Sequence, residues 1–279
     1  ATALGEWTAV AFAAGNFTSW TKTGITSWTQ ETGTRTGGSG TYVARLNPSG
    51  ATGNINQAMS SPFKGLTVNL KAWVKTAIAS HCRIGIDDGV DVTYSSYHTG
   101  GDTWEQLTAT KTLSNTASAT TFRLYADTSG ASKTIDLDDC TTQVTMTTGV
   151  KFFERSSTQY ICTQKAIAKW DNTNSQWIVL YGFGANTATD ATVYNDNNIF
   201  IAMGASTAYE YSTDSGDTWV VSTMVTKTFK FMRPYGAVFW ATDNTTLYTN
   251  TGTGLNGSPT AWSGVSAILG TSFNMNGLE

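Results

Sequence analysis

Leu66-Thr-Val-Asn-Leu-Lys-Ala-Trp-Val-Lys75 decides the fold class of the first half of this chain. Side chains of a strand point alternately to opposite faces, so Val68, Leu70, Ala72 and Val74 fall on one side and Asn69, Lys71, Trp73 and Lys75 on the other. One face is core, and the other carries a lone tryptophan between lysines. Phe122, Leu124 and Ala126 alternate with Arg123, Tyr125 and Asp127 in the same way, again with an aromatic on the polar side. Working outward from these two stretches, period-two alternation broken by turns runs from residue 10 to 147, with no helical periodicity longer than a turn or two. The pattern predicts an all-β sandwich.

Composition agrees with that reading. A length of 279 residues suits one large or two ordinary domains. Charged residues make up 13%, about half the usual share of roughly 25%. Threonine and 27 glycines take their place, as strands and turns require. Residues 1–147 carry 10 Lys+Arg against 11 Asp+Glu, and residues 148–279 carry 7 against 9. No basic cluster exists to grip phosphates, so a nucleic-acid partner is not expected. No stretch approaches the roughly 20 apolar residues of a membrane span, and Ala1–Val10 lacks the basic flank of a signal peptide, so a soluble chain with any leader removed is expected. Three cysteines without a CxxC and two histidines leave no structural zinc site. Cys82 and Cys140 lie in alternating segments of the same half, and either a disulfide or two buried thiols is open there.

An ordered set of features in the first half resembles the jelly-roll carbohydrate-binding modules of the family 4/9 type. Gly15-Asn16-Phe17 leads to Trp20. Tyr42-Val-Ala-Arg-Leu46 precedes Ile55-Asn-Gln57. The strand Leu70–Lys75, the stretch Tyr94-Ser-Ser-Tyr-His-Thr-Gly-Gly-Asp-Thr-Trp-Glu-Gln-Leu107 and the closing Ile135-Asp-Leu-Asp-Asp139 follow. The resemblance implies two antiparallel sheets with sugar bound on a concave face or in a cleft, where aromatic rings stack on pyranose rings. On it we expect a sugar platform of Trp73 and Tyr125, with Arg83, Arg123 and Asp127 as polar partners. Tyr94, Tyr97 and His98, ahead of Trp104, are read either as a second rim or as loop residues that plug the end of the sandwich core, and both readings are open. The resemblance also implies a structural calcium between the opening segment and Asp138 or Asp139, although Thr18 stands where such modules often have a glutamate.

The second half reads as a repeat. Trp177, Trp219 and Trp262 are 42 and 43 residues apart, each after a polar turn-rich stretch, and Ile199, Val238 and Leu278 open apolar runs 39 and 40 apart. A four-stranded unit of about 40 residues, the size of a propeller blade, is predicted for residues 148–279, with three complete units and part of a fourth. Ser212-Thr-Asp-Ser-Gly-Asp-Thr-Trp219 matches the Asp-box pattern S/T-x-D-x-G-x-x-W, and the half resembles the blades of Asp-box proteins: sialidases, sortilin-like receptors, xyloglucan hydrolases and phage tail proteins. In them the box is a fold element away from the active site. Here Ser212, Asp214, Gly216 and Trp219 are accordingly expected to be structural. The neighbouring units are degenerate, with Asn172 and Asn174 in place of the aspartate and glycine.

Chemistry finds little support. The second half has only Arg155 and Arg233, too few for the arginine cluster of a sialidase. Glu154, Asp190, Asp196, Glu210 and Asp243 show no spacing that selects a catalytic pair, and no G-x-S-x-G occurs. No catalytic residue and no cofactor beyond a structural calcium are expected. The expected function is non-catalytic carbohydrate binding and surface recognition by an extracellular or virion-surface protein, a phage tail or fibre component or a secreted bacterial surface protein, working as an oligomer or within a larger assembly. The alternatives are a structural virion protein that binds no sugar, and a targeting module on an incomplete glycoside-hydrolase propeller. Asn16, Asn244 and Asn256 head glycosylation acceptor sequences that matter only in a eukaryotic secretory host.

Overall fold

The computed structural model describes residues 2–3, 20–32, 35–38, 42–50, 52–59, 63–127, 133–173, 175–194, 197–204, 207–222, 228–235, 238–243, 246–250 and 263–264. Every regular element among them is a strand. The chain divides into two compact units, Ala1–Thr145 and Met146–Glu279.

The first unit contains β1 (Thr2–Ala3), β2 (Thr21–Thr23), β3 (Ile25–Thr32), β4 (Tyr42–Pro48), β5 (Gly53–Ala58), β6 (Thr67–Thr76), β7 (Cys82–Asp87), β8 (Val92–Tyr94), β9 (Thr103–Thr112), β10 (Thr121–Ala126) and β11 (Ile135–Val144). One sheet has the order β3-β4-β11-β6-β9, with β1 also on β11, and the other has the order β2-β5-β10-β7-β8. All pairs are antiparallel. From β4 onward the chain crosses between the sheets at almost every connection, which is the winding of a double-sheet jelly roll. β6 alternates buried and half-buried residues along its whole length, as its sequence requires. Leu70 and Ala72 meet Ile84, Phe122 and Leu124 of the opposite sheet in the core, and Val68, Val74 and Ile86 are buried as well. Each of these large side chains contributes on the order of 1.5–3 kcal/mol by leaving water.

Three buried polar groups fix the connections. Asp88, in the β7–β8 turn, accepts the N–H groups of Val90 (3.0 Å), Asp91 (3.0 Å) and Ser114 (2.9 Å), with Lys111 Nζ 3.6 Å away. Burial pushes its carboxyl up, but the three N–H donors and Lys111 outweigh it and hold the group at about 2. His81 is buried with its ring nitrogens facing the carbonyls of Asp127 (3.0 Å) and Lys133 (3.2 Å), on either side of the β10–β11 connection. His98 is also buried. Its Nδ1 accepts the Gly100 N–H (2.8 Å) and its Nε2 faces the carbonyls of Val74 and Thr103. It therefore plugs an end of the sandwich and belongs to no surface rim.

The second unit is three up-and-down sheets in chain order. They are β12 (Gly149–Arg155), β13 (Thr158–Thr163), β14 (Ala166–Asp171), β15 (Gln176–Gly182); then β16 (Ala188–Tyr194), β17 (Asn198–Met203), β18 (Tyr209–Ser212), β19 (Val220–Val221); then β20 (Phe231–Tyr235), β21 (Val238–Thr242), β22 (Leu247–Asn250), β23 (Ser263–Gly264). The second strands of successive sheets begin 40 residues apart, at Thr158, Asn198 and Val238. Trp177 lies in the fourth strand of the first sheet, and Trp219 immediately precedes the fourth strand of the second. Trp262, Leu278 and the expected partial fourth unit lie outside the described residues, as do Asn16, Phe17, Thr18, Asn244 and Asn256.

The sheets pack face on face. Tyr160, Cys162, Ile167 and Tyr181 meet Ala191, Ile199, Ile201 and Met203. Phe200, Ala202, Tyr209 and Tyr211 of the middle sheet then meet Met232, Phe239, Ala241 and Tyr248. The leading strands β12, β16 and β20 lie side by side, and there the buried Asp190 sits between Lys151 (3.5 Å) and Arg233 while accepting the Met232 N–H (3.0 Å). All three cysteines are buried, and Cys82 and Cys140 are not joined by a disulfide. Burial in apolar surroundings raises the thiols of Cys82, to about 12, and of Cys162.

Candidate functional site

Four of the five residues expected in a sugar platform come together, and the fifth does not. Tyr125 and Arg123 alternate with the buried Leu124 and Ala126 on β10, so both point away from the core of the five-stranded sheet. Tyr125 pairs with Asn54 on one side and Arg83 on the other; Arg123 pairs with Asn56 and Gly85. Trp73 lies on β6 of the opposite sheet, where its outward face belongs to the other side of the sandwich. There the Arg35 guanidinium stacks 4.0 Å from its ring centre and bonds Asp139 at 2.7 Å. A shared Trp73–Tyr125 platform is thus corrected. Both are outward residues of a sandwich, but of different sheets.

The centre of the five-stranded face is Arg83. Its guanidinium lies 3.9 Å from the ring centre of Tyr94, 4.5 Å from that of Tyr97 and 5.2 Å from that of Tyr125. Among the described residues it is held by these three rings and by no carboxylate. Tyr94 and Tyr125 are tilted against each other at 5.8 Å. The Tyr97 hydroxyl donates to Asp127 Oδ2 at 3.2 Å, and burial, followed by this bond to a carboxylate, holds the phenol above its ordinary range against the pull of Arg83. Arg123 is paired with Asp87, and Asn56 donates to Asn54. All of these side chains are half-buried, presenting part of their surface to solvent.

Two features of the sequence build this arrangement. Gly85 is the one outward position of β7 without a side chain, and the Tyr94 ring occupies the gap: a Cβ there would lie 2.7 Å from its Cδ1. The Asp88 network then fixes the β7–β8 turn that carries Tyr94. Tyr94 and Tyr97, expected beside Trp104, join Tyr125 instead. Trp104 stands on β9 of the other sheet, near Lys75. Asn54 and Asn56 went unrecognised, although their alternation with Ile55 is the signal that places them outward.

That other outer face is closed by its own charges. Arg45 makes a two-point ion pair with Asp136 (2.7 and 3.0 Å), with Glu31 and Lys75 nearby. Asp138 and Asp139 flank the bulge where β11 slips against β6. The cation at Asp139 is Arg35, and Asp138 Oδ1 accepts the Asp139 N–H (2.9 Å). Asp138 is buried, and burial together with the neighbouring Asp139 raises its carboxyl. A calcium site needs several converging oxygens, and among the described residues no such group of acidic side chains forms. The opening segment that would complete one lies outside them.

In the second unit the Ser212–Trp219 hairpin is tied internally. The Ser212 Oγ accepts the Gly216 N–H (2.7 Å) and donates to Asp214 Oδ1 (2.8 Å), which also accepts the Thr218 N–H (2.8 Å). Gly216 has φ +99°, a conformation that favours glycine. Trp219 Nε1 donates to the Gly216 carbonyl (2.9 Å), and its ring stacks on Tyr181 of the preceding sheet at 5.4 Å. The bonds of Ser212, Asp214 and Gly216 close the hairpin, and Trp219 makes the contact with the preceding sheet. Of the other acidic residues, Glu210 accepts from Asn186 (2.6 Å), and Asp243 accepts from Tyr248 (2.9 Å) and the Thr246 N–H.

No protein-family description and no curated protein sequence matches the chain. Among solved structures it is similar to the enzymatically active domain of bacteriophage CBA120 tailspike protein 4, at 16% identity and a TM-score of 0.40, over 50% of this chain and 21% of that one. It is similar to a family 61 carbohydrate-binding module in complex with β-1,4-galactotriose, at 12% identity and a TM-score of 0.34, over 50% of this chain and 98% of that one. The family 11 carbohydrate-binding module of a cellulosomal cellulase of Clostridium thermocellum aligns at 12% identity and a TM-score of 0.31, over 50% and 94%. The chain spans about a fifth of the tailspike domain it matches.

Proposed function

We propose that the first unit binds carbohydrate on the outer face of its five-stranded sheet and that the chain is a recognition protein without catalytic activity. The observation that carries this reading is Arg83 held among Tyr94, Tyr97 and Tyr125 with no carboxylate of its own. Phenol rings offer flat apolar surface to the C–H side of a pyranose, and each hydroxyl of the sugar needs a donor or an acceptor. The Arg83 and Arg123 guanidinium groups and the Asn54 amide supply donors, and Asp127 and Asp87 supply acceptors. Two arginines against two aspartates leave the face without net charge, which suits a neutral sugar. On the opposite outer face the Trp73 ring is stacked by Arg35, and Asp136 and Asp139 hold Arg45 and Arg35.

The second unit is read as propeller-type blades that stiffen and space the sugar-binding unit, and the Asp-box hairpin serves that packing. A single shallow site is weak, so multiplicity on a phage tail, a fibre or a bacterial surface supplies the working affinity. A glycan array probed with the full chain tests the proposal. Tyr125→Ala and Arg83→Ala are expected to abolish binding, and Trp73→Ala to leave it unchanged. Folded wild-type chain that binds no glycan would refute it.

A further inference from the structure

The connection between β8 and β9, residues 95–102, carries Tyr97 to the Arg83 cluster, and the buried ring of the next residue, His98, pins it. The His98 N–H donates to the Cys82 carbonyl and its own carbonyl accepts the Ser80 N–H, both at 2.9 Å. Nδ1 accepts the Gly100 N–H (2.8 Å), so the ring proton sits on Nε2, which faces the carbonyls of Val74 and Thr103 (3.1 Å each). Gly100, Gly101 and Asp102 follow with φ of +87°, +81° and +54°, a sharp turn that these bonds hold closed.

The ring also has a carboxylate beside it. Glu105 Oε2 accepts the Thr99 N–H and the Thr99 hydroxyl, each at 2.8 Å, and lies 3.7 Å from His98 Nδ1. Burial pushes the Glu105 carboxyl up, but the two Thr99 donors, with His98 next to them, outweigh it and hold the group below its ordinary range. Glu105 thus stays charged in mild acid. Of the other strands packed around the ring, β7 brings Cys82, whose buried thiol keeps its proton, and β6 brings Lys75, which alternates with the buried Val74 and Thr76 and is turned outward to Asp102 and Asp136.

An imidazolium has two N–H donors and no acceptor. A solvent proton taken up on Nδ1 sets that new N–H against the Gly100 N–H, and a buried charge without a partner is costly. Glu105 is the carboxylate in reach, and to pair with Nδ1 it has to give up Thr99. We propose that His98 is an acid-operated latch: protonation breaks the Gly100 bond, draws Glu105 from Thr99 and frees residues 95–102, so that Tyr97 leaves Arg83 and Asp127 and bound sugar is released. The release of sugar rests on the site proposed above; the opening of the loop does not.

Two measurements on the full chain between about pH 7.5 and 5, the span in which an imidazole changes charge, test the latch. NMR follows the His98 ring and the hydrogen exchange of the Thr99 and Gly100 amides, and titration calorimetry follows a glycan selected on the array. At pH 5 the Asp88 network is still intact, so general acid unfolding does not intrude. The wild type is expected to protonate His98, to exchange Thr99 and Gly100 faster and to lose affinity on the order of tenfold, the size of one hydrogen bond and one ring contact. His98→Asn keeps an acceptor for Gly100 that takes no proton, and is expected to bind equally across the range. Glu105→Gln still accepts from Thr99 but offers the imidazolium no charge, and is expected to move loop opening to lower pH; it decides the matter if His98→Asn does not fold. A His98 ring still neutral at pH 5 would overturn the latch. So would an affinity that falls equally in His98→Asn, which would assign the pH dependence to Asp87 or Asp127. A chain whose loop opens in acid yet binds no glycan at any pH would sink the sugar site and leave the latch standing.

Discussion

Replacing Gly85 by alanine puts a methyl group where the Tyr94 ring now lies. The added Cβ would sit 2.7 Å from Cδ1 and 2.9 Å from Cε1 of that ring, well inside ordinary contact, and the ring is the part able to move. Moving it gives up the Arg83 contact at 3.9 Å, worth about 0.5–1 kcal/mol, and the Tyr125 contact at 5.8 Å, worth about 0.5–1.5 kcal/mol. Against this, alanine restricts the unfolded chain and stabilises by about 0.4–1 kcal/mol, since Gly85 does not have positive φ. The net cost is about 1 kcal/mol. In a Tyr94→Ala background the ring clash is gone and only a 3.3 Å approach of the new Cβ to the Thr93 carbonyl opposes the entropic gain of about 0.4–1 kcal/mol, so the same substitution is expected to be neutral to stabilising. Hydrogen exchange of the β7 and β10 amides in the full chain reads the stability of the first unit separately from that of the second. A Gly85→Ala effect of the same sign in both backgrounds would refute the claim that this glycine exists to seat the ring.

Other expectations follow from the same geometry. Asp88 has a folded-state carboxyl held at about 2 against an ordinary 3.8, a difference worth about 2 kcal/mol. Because its folded value is the lower one, that stability is fully present above about pH 4 and is lost as the pH falls toward 2. Urea denaturation at several acid pH values is expected to show this decline for the first unit, and Asp88→Asn is expected to remove it along with about 2 kcal/mol at neutral pH. Asp214→Ala leaves the Thr218 N–H and the Ser212 hydroxyl without their acceptor, at a cost of about 1 kcal/mol for this half-exposed group. Its readouts are a red-shifted Trp219 emission, as the ring loosens from Tyr181, and unchanged sugar binding by the first unit.

The strands were legible because alternation is a local property: β6 and β10 follow the pattern of their sequence residue by residue. Alternation separates inside from outside but does not distinguish the two outsides of a sandwich, and for that reason Trp73 and Tyr125 read alike in sequence. Their separation is decided by which strand pairs with which, a long-range fact. Arg35 reaching Asp139 across 104 residues is equally invisible along the chain, and it changes the meaning of Trp73 and of both aspartates. Tyr94 and Tyr97 escaped because no alternating run carries them to the site. The available signal was Gly85, since a glycine inside a strand marks close approach of another group. The Ser212–Trp219 hairpin, by contrast, makes most of its bonds within eight residues, so its local hydrogen bonding is readable along the chain.

Titration calorimetry of the full chain with a glycan selected on the array tests the central claim most directly, comparing Arg83→Ala with Trp73→Ala. The account predicts heat of binding for the wild type and for Trp73→Ala, and none for Arg83→Ala. Binding that survives loss of Arg83 and disappears with Trp73 would place the site on the opposite sheet and contradict it.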